Sequence, residues 1–402
     1  MRVSTAMFQQ IGTASMELGQ SNLFQTQEQL STGRSFNSAG DNPLAAEQAV
    51  SVAAASAVNS QYTANQGQAQ SHLSLAESTL ASVENVLQSA RQSLVQAGSG
   101  SLNSSDRQTI AQQLQTNLNQ LLSLANTQDT NGAYLFAGYN QGTMPFSATA
   151  TGAQYNGDQG VRYLQVGSSA NMAVSVNGAA VFQMVRNGNG TFAVSASGAN
   201  TGTGTVDQGS VTDSSQLTGD SYSIQFAGSG AASTYSVVDT TTATTVAGPT
   251  AYVAGNAIRF AGMQVTVSGA PAAGDSFTVA PAQNQDMFTT LQNAITALGS
   301  SQGTPAQQAA FTNQLGASLS NVSQALNSVI TARSQVGANL SELTTLGTQA
   351  QSANVNFQTQ MSNLTNVDYA SAVSQYMAEQ LAYQAAQSSY AQVSKLSLFS
   401  QL

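Results

Sequence analysis

Residues 69–97, AQSHLSLAESTLASVENVLQSARQSLVQA, decide the fold. Ala69, Leu73, Ala76, Leu80, Val83, Leu87, Ala90, Leu94 and Ala97 are separated alternately by four and three positions, the heptad spacing of a helix that buries one narrow seam. Such a seam runs for about 40 Å at 1.5 Å per residue, the length of a coiled-coil-like rod. Pro43 suits the first helical turn after Asn42, so the helix is expected to begin there. Ser105 and Gln108 have capping-box spacing ahead of a second seam, Ile110, Leu114, Asn117, Leu121 and Leu124.

The far end of the chain repeats this grammar. Thr304, Pro305 and Gln307 supply a cap, a first-turn proline and a capping partner. The stripe Phe311, Leu315, Ser318, Val322, Ala325, Val329, Ala332, Val336 then continues through Leu343, Leu346, Ala350, Ala353 and Phe357 to Leu364. Asn366-Val-Asp368 reads as a break and a new cap, and Tyr369, Tyr376, Tyr383 and Tyr390 recur every seven residues on a last helix. Between the helical ends, 161–166, 172–176, 222–226 and 263–267 alternate apolar and polar residues as strands do. Asn177-Gly178 reads as a hairpin turn, and the β-branched run 240–245 as an edge strand or a loop. The fold class expected is α+β: an elongated rod of long coiled-coil-like helices from both chain ends, with an inserted, mainly β domain. An outward run, a head and a return packed antiparallel bring the termini together.

Composition narrows the function. Only 7% of the 402 residues are charged, against about a quarter in an ordinary soluble domain, while the 41% hydrophobic content is ordinary. Gln, Asn, Ser and Thr replace the missing charge. No run reaches the ~18 apolar residues of a membrane span, so no membrane insertion is expected. The N-terminal sequence lacks an apolar stretch with a small-residue cleavage site, which reads against a cleaved Sec-type signal. Nine basic residues against eighteen acidic ones give a net charge of −9, a poor match to nucleic acid. With no cysteine and the single histidine His72, thiolate chemistry and multi-histidine metal sites lack their parts. No catalytic, cofactor or metal site is expected, and the chain reads as no enzyme. Carboxylate-only hydrolysis in a cleft of the insert and ligand binding by an adhesin-like stalk protein survive as rivals.

The terminal helices carry the functional reading. Residues 3–33 contain two charged residues, Glu17 and Glu28, and residues 369–402 contain Glu379 and Lys395. A face of amides and hydroxyls is far cheaper to desolvate than a charged one, so these helices suit burial against neighbours. The expected assembly interface is Met7, Ile11, Leu18, Leu23 and Leu30 on the first helix. On the last it is Val373, Tyr376, Met377, Leu381, Tyr383, Tyr390, Val393, Leu396, Leu398 and Phe399. The expected rod core is Leu73, Leu80, Val83, Leu87, Leu94, Leu114, Leu121, Val322, Val329, Val336 and Leu343.

Several segments, in order, carry a resemblance: MRVST at 1–5, QLSTGR at 29–34, AGDNP at 39–43, NGAYLFAGY at 131–139, VDYA at 367–370, QLAYQAA at 380–386 and LSLF at 396–399. They resemble the flagellar hook-associated protein 3 family, the hook–filament junction proteins related to flagellin. Residues 258–267 and 274–279 of the insert resemble it more loosely. The family pattern has two acids before the proline, where this chain has Asp41-Asn42. The resemblance implies a structural subunit with an assembly helix and loop at 1–42, a helical rod at 43–140, an outward β domain at 141–285, a second rod at 286–366 and an assembly helix at 367–402. It also implies copies of itself as partners, with the preceding hook-associated protein on the hook side, flagellin on the filament side, and a cytoplasmic chaperone before type III flagellar export to the extracellular junction. Flagellin itself is the near alternative.

Overall fold

The computed structural model describes the backbone of residues 5–100, 102–300 and 302–399, and side chains through residue 392 except those of residues 5, 6 and 8. The elements include six α-helices: α1 (Thr5–Thr32), α2 (Pro43–Ala97), α3 (Ser104–Ala125), α4 (Met287–Leu298), α5 (Pro305–Thr365) and α6 (Tyr369–Phe399). At 55 and 61 residues, α2 and α5 are unbroken helices of about 80 and 90 Å. The chain divides into two compact units, one of Met1–Ala64 with Thr345–Leu402 and one of Asn65–Thr344.

In the 65–344 unit the heptad seams form the core. Leu73, Leu80, Val83, Leu87, Leu94, Leu114, Leu121, Val322, Val329, Val336 and Leu343 are all buried. Leu124 is half-buried while Ala125 beside it is buried. The caps follow the sequence in part. The Thr304 hydroxyl accepts from the Gln307 N–H at 3.2 Å while the Gln307 amide oxygen accepts from the Thr304 N–H at 3.1 Å, the predicted box. At α3 the box lies two residues earlier than predicted: Asn103 caps the helix and Asp106, not Gln108, reaches back. Asn103 has the acceptor oxygen a cap requires, and the short Asp106 carboxylate meets the Asn103 N–H at 3.2 Å.

Arg333 of α5 ties the helices electrostatically. Its guanidinium donates to Glu77 Oε1 through Nε at 2.9 Å and also to Glu84, one heptad further along α2. Hydrogen bonding to Glu77, then to Glu84, holds its pKa above the ordinary arginine value. His72 Nδ1 stands 3.9 Å from Asp129 Oδ2.

The predicted strands 161–166 and 172–176 shrink to a short pair, Tyr163–Gln165 with Asn171–Ala173. Asn177-Gly178 makes no hairpin; Asn177 Oδ1 accepts from the Ala180 N–H at 3.0 Å and leads into a π-turn at Ala179–Gln183. That turn presents Phe182 to an aromatic cluster with Phe136, Phe146 and Phe288, ring centroids 5.2, 5.3 and 6.1 Å from its own. Tyr155 leans on Phe146 and donates its hydroxyl to the carbonyls of Phe136 and Asp158, and burial foremost pushes its pKa up to about 12.

Residues 192–281 of the insert form two antiparallel sheets face to face. The larger has the order Thr244–Ala251, Thr234–Asp239, Tyr222–Ala227, Ser276–Pro281, Phe192–Ala196. The smaller pairs Ala257–Phe260 with Met263–Ser268, flanked by the short strands 205–206 and 210–211. Alternating residues fill the space between: Ile224, Val237, Phe277 and Val279 from one sheet, Ile258, Val265 and Val267 from the other. The Thr240–Thr245 run is both things its sequence permits, since Asp239 Oδ1 accepts from the N–H groups of Thr241 and Thr242 to form a turn and the edge strand starts at Thr244.

Replacing Arg333 by Met is expected to cost about 1 kcal/mol, more at low salt than at high salt, because two partly exposed carboxylates lose their shared partner. Thermal unfolding of the natural and R333M chains at two salt concentrations measures it. For Tyr155, the folded pKa lies above the ordinary value of 10.0, so its contribution is complete below about pH 10 and disappears as pH rises through about 12. Tyr155→Phe is expected to flatten that alkaline loss of stability.

Candidate assembly surface

In the unit built from the chain ends, a backbone clasp holds the two terminal helices by their bases. The Ser35 N–H donates to the Thr365 carbonyl at 2.7 Å, the Val367 N–H to the Gly33 carbonyl at 3.0 Å, and the Ser35 hydroxyl to the Leu364 carbonyl at 2.9 Å. Gly33, at φ +72°, takes the left-handed conformation that ends α1, with its N–H bonded to the Gln29 carbonyl. Asp368 caps α6 as predicted, accepting from the Ala370 N–H at 3.0 Å.

The Asp41-Asn42 pair has separable roles. The Asp41 carboxylate closes the loop by accepting from the N–H groups of Asn37 and Ser38 at 3.0 and 2.8 Å, and the Ser38 bond chiefly lowers its pKa. Asn42 Oδ1 accepts from the Ala45 N–H at 3.1 Å and caps α2. Capping needs an acceptor oxygen and no charge, so the amide fills the place of a second acid.

Beyond the clasp, α1 and α6 run antiparallel. The tyrosines predicted to meet neighbouring subunits find their first partner within the chain. Tyr390 lies over Gly12, Tyr383 over Gly19 and Tyr369 over Gly33. Tyr376, Tyr383 and Tyr390 are half-buried, as are Leu23 and Leu30, while Tyr369 is exposed. Thr26 is 2% exposed, and its hydroxyl lies 2.7 Å from Glu379 Oε2.

The other expected interface residues face away from this seam. Met7, Ile11 and Leu18 are 57%, 57% and 65% exposed on α1; Val373, Met377 and Leu381 are 39%, 64% and 70% exposed on α6. At 100° per residue, Ile11 and Leu18 lie on one flank of the helix pair. Val373 and Met377 lie on the other, because two antiparallel helices turn in opposite senses when viewed from one end. The side chains of Val393, Leu396, Leu398 and Phe399 lie outside the described residues. Sequence reading missed Leu44, Val50 and Val58 on α2 and Val355 on α5, all exposed in this unit. It also missed the glycines beneath the tyrosines, although Gly12, Gly19 and Gly33 fall on the same seven-residue repeat.

Residues 3–141 match the bacterial flagellin N-terminal helical region, 319–402 the flagellin C-terminal helical region, and 194–281 the D2-like domain of flagellar hook-associated protein 1. A crystal structure of FlgL from Xanthomonas campestris is 34% identical, with a TM-score of 0.71, over 76% of this chain and 98% of that one. The chain belongs to the flagellar hook-associated protein 3 family. Hook-associated protein 3 of Legionella pneumophila is likewise 34% identical, over 78% of this chain and 96% of that one, with a TM-score of 0.73. Its counterpart in Salmonella typhimurium is 28% identical over 99% of both chains. The α+β class, flagellin-like helical ends and inserted β domain of this family are those of the chain, which is a structural component of the flagellum.

Asn42→Ala is expected to lower stability by about 1 kcal/mol and to fray the start of α2, with Asn42→Asp close to natural. Amide exchange at residues 44–46 reads it. Asp41 acts above the carboxylate range: with a lowered folded pKa, its loop contacts persist above the unfolded value and are lost as pH falls through the folded one. Asp41→Asn is expected to remove that acid sensitivity from loop exchange.

Proposed function

We propose that this chain is the subunit that joins the flagellar hook to the flagellin filament, and that its α1–α6 pair packs on copies and relatives of itself. The observation that carries this reading is the pair of uncovered apolar stripes, Ile11 and Leu18 against Val373 and Met377, on opposite flanks of one helix pair. Each such side chain contributes about 1.5–3 kcal/mol when buried, so a few per contact offset the ordering cost of association. Opposite flanks favour a heterologous contact in which the α1 stripe of one copy lies on the α6 stripe of the next, a pattern that builds rings or helical arrays.

In this reading residues 1–42 and 367–402 are the assembly segments, 43–140 and 286–366 the rod, and 141–285 the outward domain. One end of the subunit meets the preceding hook-associated protein and the other meets flagellin. Before type III export, a cytoplasmic chaperone covers the last helix, whose apolar stripe would otherwise invite aggregation. The subunit works outside the cell by fitting surfaces and carries out no catalysis. The family supports the flagellar role and the extracellular place, and the sparse charge on α1 and α6 supports their packing on neighbours.

Met377→Glu and Ile11→Glu each place a charge on a stripe without touching the α1–α6 seam. Both are expected to be exported, to melt like the natural chain, and to fail to support filament growth in cells lacking their own junction protein. Normal filaments from either variant would remove the stripe from the interface. Immunogold labelling of isolated hook–basal bodies separates the junction role from the filament role, as a narrow band against label along the whole filament.

A further inference from the structure

The seam between α1 and α6 is a row of notches and knobs. Gly12, Gly19 and Thr26 repeat every seven residues along α1, with Gly33 next in the same repeat just past its end, and Tyr390, Tyr383, Tyr376 and Tyr369 repeat every seven in the opposite direction along α6. A Cβ on Gly12 would stand 2.9 Å from Tyr390 Cδ2, one on Gly19 would stand 3.4 Å from Tyr383 Cδ2, and one on Gly33 would stand 2.9 Å from the Tyr369 hydroxyl. At Gly12 a side chain would have to displace the tyrosine ring, whereas at Gly33 the exposed hydroxyl end of Tyr369 can move aside and the left-handed backbone is what requires glycine. Helix propensity opposes this choice, because glycine inside an isolated helix is worse than any ordinary residue but proline.

We infer that Gly12 and Gly19 are positioning residues that select α1 of the same chain as the mate of α6, and that Thr26 with Glu379 fixes the register. An identical repeat on both helices fits nearly as well after a slide of one heptad. Thr26 breaks the repeat: slid by seven residues, it would sit beneath Tyr383 or Tyr369, where the natural chain has glycine, and would leave Glu379. That carboxylate is held on both sides, by Thr26 at 2.7 Å and by the Gln375 side-chain amide at 2.8 Å. A single polar layer of this kind specifies register in helix pairs. The clasp at 33–35 and 365–367 fixes the base, and the notches carry the same register outward along α1. The inference concerns the helix pair alone and holds whether or not the chain occupies the hook–filament junction.

The chain contains no cysteine, so introduced pairs report register directly. Met16 and Ala386, both half-buried, flank the Gly12–Tyr390 and Gly19–Tyr383 contacts. The full-length chain carrying Met16→Cys and Ala386→Cys is expected to close an intrachain disulfide on mild oxidation, whereas Leu23→Cys with Ala386→Cys, one heptad out of register, is not. Adding Gly19→Leu is expected to cut the first yield about fivefold or more, and Gly19→Leu with Tyr383→Ala, knob and notch exchanged, to recover most of it. Thr26→Val is expected to raise the 23/386 yield, and Thr26→Ser to leave it low. Mixing chains that carry only Met16→Cys with chains that carry only Ala386→Cys reads mate choice, and disulfide dimers are expected to rise in the Gly19→Leu background.

If the glycines were merely tolerated, leucine at 19 would strengthen α1 and preserve the 16/386 bond, and that result overturns the inference. So does a natural-seam chain that fails to close the 16/386 bond, or an exchanged double variant that recovers nothing. Circular dichroism of every variant reports whether the helices persist.

Discussion

Desolvating an amide or a hydroxyl costs little when the group finds a new partner, whereas desolvating a charge costs several times more, and the terminal helices are built on that difference. α1 and α6 bury one face against each other and leave a second apolar stripe uncovered on each helix, with almost no charge beside it. Lysines and glutamates on those flanks would have made an ordinary solvated hairpin. Their absence leaves surfaces that lose little on meeting another helix and gain the burial of methionine, isoleucine and leucine.

The seam inside the pair solves a different problem from the stripes outside it. Tyrosine rings over glycines allow two helices to approach closely while placing large amphipathic knobs in the contact. The arrangement lowers the intrinsic helix propensity of α1, a cost offset by tertiary contact and by the clasp at the base. Helices of this length and composition depend on packing, because an isolated two-helix pair buries little. The 65–344 unit has no such dependence: its heptad seams, aromatic cluster and β-sandwich bury their large side chains within the unit.

Much of this was legible in the sequence because its signals are local and periodic. The alternation of four and three that marks Leu73 through Leu94 fixes a seam whatever it packs against, and Pro43, Thr304 and Asp368 mark helix starts through chemistry confined to a few residues. Errors arose where several local solutions compete. Asn103 and Ser105 can both cap α3, and Asn103 holds the place through its reciprocal box with Asp106. Asn177-Gly178 favours a hairpin in isolation, but the aromatic cluster draws Phe182 inward and makes the chain turn as a helix there. The division of the terminal apolar residues between seam and surface was hidden for another reason. Tyrosine and leucine at helical spacing look alike whether they meet their own chain or another, and the discriminating signal lay in the opposing helix, in glycines seven residues apart.

That division gives the two terminal helices a polarity. If both stripes lay on one flank, two copies could cover each other about a two-fold axis and the association would stop at a dimer. With the α1 stripe on one flank and the α6 stripe on the other, covering one stripe always leaves the complementary stripe of the added copy open. Nothing in the stripe chemistry ends such a series. In the proposed assembly it ends where the rotation between successive copies closes a ring, or where a different molecule offers a flank of the same kind, with affinity coming from the terminal helices and number from packing geometry elsewhere.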